Sequence, residues 1–190
     1  MHSVDIFIPC YNAEKYIKET LESIREQIYT DYEVIIVNDG STDNSVSIIE
    51  DFRKSDARIK LYNLEFNHGV QYVRNQSLKL CKADYIAYMD ADDIMPKQRL
   101  MRQMSYLKEH PECDILSGGM TLMSESGQMG KEVLFGEFDS EAIYSALFFR
   151  NVIPTGTVVM KKEFVQQQYL SFDGNVSIED YNCWVDCMLA

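Results

Sequence analysis

The stretch YIAYMDADDI, residues 85–94, places three carboxylates, Asp90, Asp92 and Asp93, directly behind an apolar run. Asp90 and Asp92 are one residue apart at a strand end, so both can face a common point. Like charges at that range raise one another's pKa unless a cation is present. An oxygen-only set of this kind suits Mg2+ or Mn2+, ions that share their coordination between protein carboxylates and substrate phosphates. A purely structural turn is the other reading, and it leaves the mutual repulsion unanswered.

Polar residues follow other apolar runs in the same way. The first run leads into Pro9, Cys10, Tyr11 and Asn12, and the second into Asn38, Asp39 and Gly40, then Ser41, Thr42 and Asp43. A third leads to Asn67, His68 and Gly69, with Arg74 one turn into the next helix. Each also has a plain reading. Residues 39–43 serve equally well as a turn with an N-cap; His68 fits a solvated loop, Arg74 a solvated helix face, and Tyr11 packing against the first helix. Taken together, four strand ends point to one rim, and in open parallel sheets ligands bind beyond the carboxyl ends of the strands.

The elements that must position these residues are legible from periodicity. VDIFIP (Val4 to Pro9) reads as a strand. Ile17, Leu21, Ile24 and Ile28 then recur at helical spacing, with Asn12 as N-cap and Glu14 in the first turn. YEVIIVND is a continuous apolar strand of the kind covered on both faces. A helix from about Asn44 to Phe52, a strand IKLYN, a helix from Val70 to Cys81 and the strand DYIAYMD follow. Leu100, Met104 and Leu107 mark a helix that stops near His110 and Pro111, and CDILSGG is a fifth strand. The alternation through residue 118 predicts a parallel α/β sheet with right-handed crossovers and helices on both faces. Beyond Gly119 the rhythm loosens. A hairpin is expected in TLMSESGQMGKEVLF with its turn near Gly127, a helix over Asp139 to Phe149, a strand in TGTVVMK and a closing helix in IEDYNCWVDCMLA. With no linker, repeat or low-complexity segment, the expectation is one domain.

Composition narrows the partners. The 190 residues are 46% hydrophobic and 25% charged, with a formal net charge of −12. Such a surface repels nucleic acid and anionic lipid. An anionic small substrate needs a bridging cation, and a divalent ion at the Asp cluster would let this acidic chain hold a pyrophosphate. The five cysteines are scattered without a C-x-x-C pair, and the three histidines make no ligand cluster with them. That pattern fits a reducing compartment better than a disulfide framework or a zinc site. Cys183 and Cys187 share a helical face, read as an apolar stripe. The N-terminus lacks a basic n-region, and no apolar stretch approaches the ~20 residues of a membrane span. The expected location is the cytoplasm.

The ordered segments IPCYNAEKYI, VIIVNDGSTDNS, NHGVQYVRNQSL, YIAYMDADDI and SIEDYNCWVD resemble family 2 glycosyltransferases of the GT-A fold, nucleotide-diphospho-sugar transferases with a mostly parallel central sheet. The match covers nearly the whole chain. It implies a nucleotide-binding half over residues 1–118 and a partial acceptor-side half over 119–190. Pro9, Tyr11 and Glu14 would line the nucleotide pocket, with Tyr11 near the base. Asp39 would accept the imide N–H of a uracil-type ring, and Arg74 would reach toward the nucleotide side of the acidic loop. Asp90-Ala91-Asp92 matches the DXD motif, with Asp90 on the nucleotide side, Asp92 as the metal ligand for Mn2+ or Mg2+, and Asp93 toward the sugar. Glu179-Asp180 matches the family's ED motif, in which the Asp is the general base; acids that favour a helix dipole are the alternative. The implied reaction is inverting transfer from a nucleotide-diphosphate sugar to a carbohydrate or lipid-linked acceptor, in surface polysaccharide or glycan biosynthesis.

The chain departs from the family pattern in stopping ten residues after Asp180. The resemblance implies a further strand and a variable C-terminal region, which would hold the acceptor wall and any helix for peripheral association with the inner face of the membrane. No Q-x-x-R-W motif of processive members occurs. Two other classes compete. A phosphotransferase of doubly wound fold needs an Asp nucleophile at the end of its first strand, where this chain has Pro9-Cys10-Tyr11, and a nucleotidyltransferase needs a glycine-rich phosphate loop, where PCYNAEKY has no glycine. A non-catalytic nucleotide-sugar binder would share every binding feature and lack turnover.

Overall fold

The computed structural model describes residues 2–124, 127–133, 139–147, 149–168, 171–172 and 179–189. Its first half alternates strand and helix: β1 (Val4–Cys10), α1 (Ile17–Arg25), β2 (Tyr32–Asn38), α2 (Ser45–Ser55), β3 (Ile59–Asn63), α3 (Val70–Leu80), β4 (Tyr85–Tyr88) and α4 (Arg99–Glu109). After the short β5 (Ile115–Leu116) come a hairpin, β6 (Met120–Met123) and β7 (Met129–Val133), and the helix α5 (Ser140–Leu147). A 3-10 turn (Thr155–Thr157) then leads into β8 (Val159–Lys161), α6 (Lys162–Gln167) and α7 (Glu179–Leu189).

The central sheet has the order β3-β2-β1-β4-β8-β5. The first four strands in that order are parallel, with Ile6 between Val34 and Ala87. One face carries Ile6, Ile8, Val34 and Ile36 under Ile17, Leu21, Ile49, Leu100 and Leu107, so α1, α2 and α4 cover it. The other carries Phe7, Ile35, Val37 and Tyr88 under Val73, Leu147, Val165 and Trp184, from α3, α5, α6 and α7. Both faces are dry, which is why the strands are continuous in Val and Ile.

Four expectations are revised. The fifth strand keeps the parallel direction but is not the neighbour of β4: β8 inserts antiparallel between β4 and β5, pairing Ala87 with Val159 and Leu116 with Val159. Val159 and Met160 are apolar toward opposite faces and fit that interior slot, while β5 is only two residues long. The strand expected in TGTVVMK begins four residues late, because Thr155–Thr157 first form the 3-10 turn. The first helix starts at Ile17 and ends at Arg25, leaving Ile28 55% exposed beyond it. Asn12 does not cap this helix. It adopts φ +48 and brackets the neighbouring loop, its Oδ1 accepting from Thr42 N–H at 2.9 Å and its own N–H donating to Ser41 Oγ at 2.9 Å. The expected hairpin turn runs partly through residues 125–126, and the expected 139–149 helix includes residue 148; these lie outside the described residues.

A candidate nucleotide and metal site at the strand ends

β1, β2 and β4 all terminate at one edge of the sheet, and their exits are tied together. Asp39 N–H donates to Cys10 O at 2.8 Å, and Met89 N–H to Phe7 O at 3.1 Å. Beyond them opens a cleft of about 340 Å³ lined by Pro9, Tyr11, Asp39, Val70, Asp90 and Asp92 among others. That volume lies in the range of small-ligand sites, about 300–1,000 Å³.

On the β2 side, Asp39 is 3% exposed. Its Oδ1 accepts the N–H of His68 at 2.8 Å and its Oδ2 the N–H of Gly69 at 2.9 Å, so one carboxylate fixes the entrance to α3. Each oxygen keeps a further lone pair for a ligand donor. Gly40, at φ +68, lets this turn press on the next loop: a Cβ there would lie 2.7 Å from the carbonyl carbon of Phe66. Glu14 stands outside the cleft lining and turns to the start of α2, its Oε2 accepting from Asn44 N–H at 3.0 Å and Asn44 Nδ2 at 2.8 Å. Tyr11, half exposed, is open to a ligand. Cys10 is not a nucleophile at neutral pH, because burial pushes its thiol up to about 12.

The acidic loop is charge-balanced from behind. Arg74, 7% exposed, donates from Nη2 to Asp90 Oδ1 at 3.2 Å and lies over the Phe172 ring at 5.8 Å. Asp92 is exposed, and among the described residues it forms no ion pair. Asp93 is also at the surface, yet protein atoms crowd its carboxyl. Desolvation, then the charges of Asp90 and Asp92, push it up to about 6 against the pull of Arg99. Arg99 itself is sunk at the start of α4, with its guanidinium on Tyr88 O at 2.9 Å and Gln103 Oε1 at 3.0 Å. Burial pulls its pKa down to about 10, and Asp93 and Asp90 oppose that fall. Sequence reasoning missed Arg99, which reads as an ordinary first-turn residue; the signal was a basic side chain six residues after a triple acid. Three carboxylates in one loop, one of them held up by burial and by its neighbours' charge, are a donor set that fits a hard divalent cation such as Mn2+ or Mg2+.

Asp180 sits in the first turn of α7, its Oδ2 accepting from Thr155 Oγ1 at 3.0 Å and Asn151 Nδ2 at 3.1 Å. Its Oδ1 accepts from Tyr181 N–H at 2.8 Å. The side chain of Glu179 lies outside the described ones. Gly156, next to Thr155, faces the acidic loop: a Cβ there would lie 3.0 Å from both Asp90 Oδ2 and Asp93 Oδ2. The structure therefore brings Asp90, Asp93 and Asp180 around one turn, while Pro9, Tyr11, Asp39, Asp90 and Asp92 share the cleft. A carboxylate, an acidic loop and a cleft of ligand size in that order have the chemistry to take up an anionic ligand through a cation and to accept a proton beside it.

The chain is similar to known proteins in sequence and in fold. The family model for Glycosyl transferase family 2 matches residues 5–151. An uncharacterized glycosyltransferase of Haemophilus influenzae is 31% identical over 189 residues, covering 95% of this chain and 58% of that protein. The O-antigen biosynthesis glycosyltransferase WbnJ of Escherichia coli is 27% identical over 183 residues, 96% of this chain and 70% of its own length. Among solved structures, S. aureus TarS 1–349 in complex with UDP-GlcNAc superposes with a TM-score of 0.81 at 27% identity, over 98% of this chain and 53% of that one.

Proposed function

This chain belongs to glycosyl transferase family 2 and has the GT-A fold, and from that premise we propose that it transfers a sugar, with inversion, from a nucleotide-diphosphate donor to an acceptor hydroxyl. The proposed donor is a UDP-sugar, and the acceptor a carbohydrate or lipid-linked glycan of surface polysaccharide synthesis at the inner face of the membrane. TarS bound to UDP-GlcNAc and the O-antigen enzyme WbnJ support those two classes. No helix among the described residues is long and apolar enough to cross a membrane.

The observation that carries the reading is the junction of the strand-end cleft with Asp92 on one side and Asp180 beyond Gly156 on the other. Residues 1–118 supply the donor side. Pro9 and Tyr11 wall the nucleotide, Asp39 accepts the base N–H, and Arg74 steadies Asp90. Glu14 acts at one remove, by holding Asn44 and hence the loop beside Tyr11. Asp92 is the main ligand for Mn2+ or Mg2+, with Asp93 beside it toward the sugar; the ion, when bound, offsets charge on the leaving diphosphate.

Residues 119–190 supply the base. Asp180 takes the proton of the acceptor hydroxyl while that oxygen attacks the anomeric carbon from the face opposite the diphosphate. The bond from that carbon to the diphosphate oxygen breaks, and its electron pair leaves with the nucleotide. A base so placed contributes about 10²–10⁴-fold. Thr155 and Asn151 aim it.

The test is calorimetry of UDP with and without Mn2+, together with transfer assays of wild type and Asp180→Asn. Metal-dependent binding that survives Asp180→Asn, with transfer lost, is expected. UDP affinity unchanged by excess chelator, or full transfer by Asp180→Asn, would overturn it.

A further inference from the structure

Residues 155 and 156 are neighbours in the chain and touch the two halves of the site. Thr155 Oγ1–H donates to Asp180 at 3.0 Å, and the Gly156 Cα packs against Asp90 and Asp93 so closely that a methyl group would stand 3.0 Å from both carboxylates. Both residues are buried. The separation between the acids and Asp180 is therefore spanned by one peptide unit, whose length is fixed at 3.80 Å between Cα atoms.

That unit is held rigidly. Thr157 N–H donates to Pro154 O at 2.9 Å, and the Thr157 hydroxyl to the same carbonyl at 2.8 Å. Gly118 N–H donates to Thr157 Oγ1 at 3.1 Å. From the sheet side, Tyr88 N–H donates to Val158 O at 2.8 Å, so the turn is paired to β4 one residue before the acidic loop starts. From below, Gln103 Nε2 donates to Thr157 O at 2.8 Å, and the Gln103 carbonyl oxygen in turn accepts from Arg99 Nε at 3.0 Å. Arg99 is also the cation whose charge acts on Asp93 and Asp90, so one relay of hydrogen bonds ties the turn to that cation.

We propose that Thr155-Gly156 is the positioning element of the active site, setting the distance and angle between the general base and the acidic loop that carries the metal ligand Asp92. Thr155 acts through Asp180 and Gly156 through Asp90 and Asp93; neither is a catalytic residue. This rests on the roles proposed above for Asp92 and Asp180. It assigns the two neighbours separable effects. Losing the Thr155 hydroxyl leaves the acids in place and frees Asp180 to turn from the acceptor. Adding a methyl group at Gly156 pushes the acids themselves, and because the turn is one body, disturbs Asp180 as well. Misplacement by about 1 Å is enough to cost about 10²-fold in rate.

The experiment measures two quantities on purified protein: Kd for UDP in saturating Mn2+ by calorimetry, and kcat and KM for UDP release from UDP-GlcNAc with water as the acceptor. For Thr155→Val, kcat is expected to fall about tenfold or more, with KM and Kd within twofold, and Thr155→Ser is expected to restore it. For Gly156→Ala, Kd is expected to rise about tenfold or more and kcat to fall with it. Gln103→Leu loosens the turn without adding an atom near the acids, and it is expected to move both readouts together; it decides the matter if Gly156→Ala does not fold. Thr155→Val with wild-type kcat, or Gly156→Ala and Gln103→Leu with wild-type Kd, overturns the proposal. Wild-type protein whose UDP affinity ignores Mn2+ overturns the functional reading and this inference with it. Wild-type protein that does respond to Mn2+, with variants matching it, overturns the inference alone.

Discussion

The side-chain amide of Asn75 closes on the backbone of Phe172 from both sides, donating to its carbonyl at 3.0 Å and accepting from its N–H at 2.8 Å. The pair imitates one rung of a β-ladder between α3 and a segment 97 residues further on. It seats the Phe172 ring between Tyr88 and Trp184, at 5.5 and 5.9 Å in edge-on geometry, and beneath Arg74. Arg74 and Asn75, adjacent on one helix, thus serve the acidic loop and the approach to α7.

Asn75→Ala removes both bonds and leaves two backbone groups in a part-buried place without partners. At about 1 kcal/mol per lost bond, a loss of about 1–3 kcal/mol is expected in urea unfolding. A change under about 0.5 kcal/mol would show that the pair contributes no net stability.

Asp39 serves a loop and, in the proposed function, a base. Asp39→Ala is expected to reduce the preference for UDP over ADP by about tenfold and to lower the melting temperature, since His68 and Gly69 N–H lose their acceptor. Tight ADP binding by wild type, unchanged in the variant, would leave Asp39 with its loop role only.

The raised pKa of Asp93 gives a pH dependence of definite sign. Its folded value of about 6 stands above the ordinary 3.8, so the metal-free folded protein binds the proton more tightly than the unfolded chain. The stability this group contributes is fully present below about 3.8 and is lost as pH rises through about 6. Metal binding requires the ionised form and runs the other way. Affinity for UDP with Mn2+ is expected to fall as pH drops from 7 to 5, and Asp93→Asn to flatten that fall. Titration calorimetry at pH 7, 6 and 5 decides it; parallel curves for the two proteins would exclude Asp93.

Gly40→Ala is expected to destabilise by more than about 1 kcal/mol. A positive φ and a backbone contact at 2.7 Å oppose the methyl group together. Thermal unfolding with a melting point equal to that of wild type would show that the loop at Phe66 yields freely.

The donor side was legible in the sequence because it repeats one pattern. An apolar run of four to seven residues ends in a polar cluster, and each such end is a strand exit of a parallel sheet. Asp39, Asp90 and Asp92 could be placed at a common edge from that alone. The acceptor side was not legible in the same way. Thr155, Gly156, Asn75 and Asn151 act on partners from 25 to 97 residues distant, or on groups brought near by β8, and no local period marks them. The run VVMK shows that a strand exists, but sheet order is decided by which slot its two apolar faces fill. Asn12 was misread for a related reason: a residue suited to a helix cap also suits a left-handed bend, and the loop at Ser41 and Thr42 selected the bend.

The antiparallel β8 has a consequence for the order in which the protein is made. Each parallel pair of the sheet closes through a single intervening helix or lies between strands already synthesised by residue 88. The pairing of Ala87 with Val159 must wait until residue 159 has been made. On a ribosome, β1 to β4 and the walls of the nucleotide cleft emerge before the turn and α7 exist. A growing chain therefore presents the carboxylates proposed to hold the donor before Asp180, the proposed base, has been made.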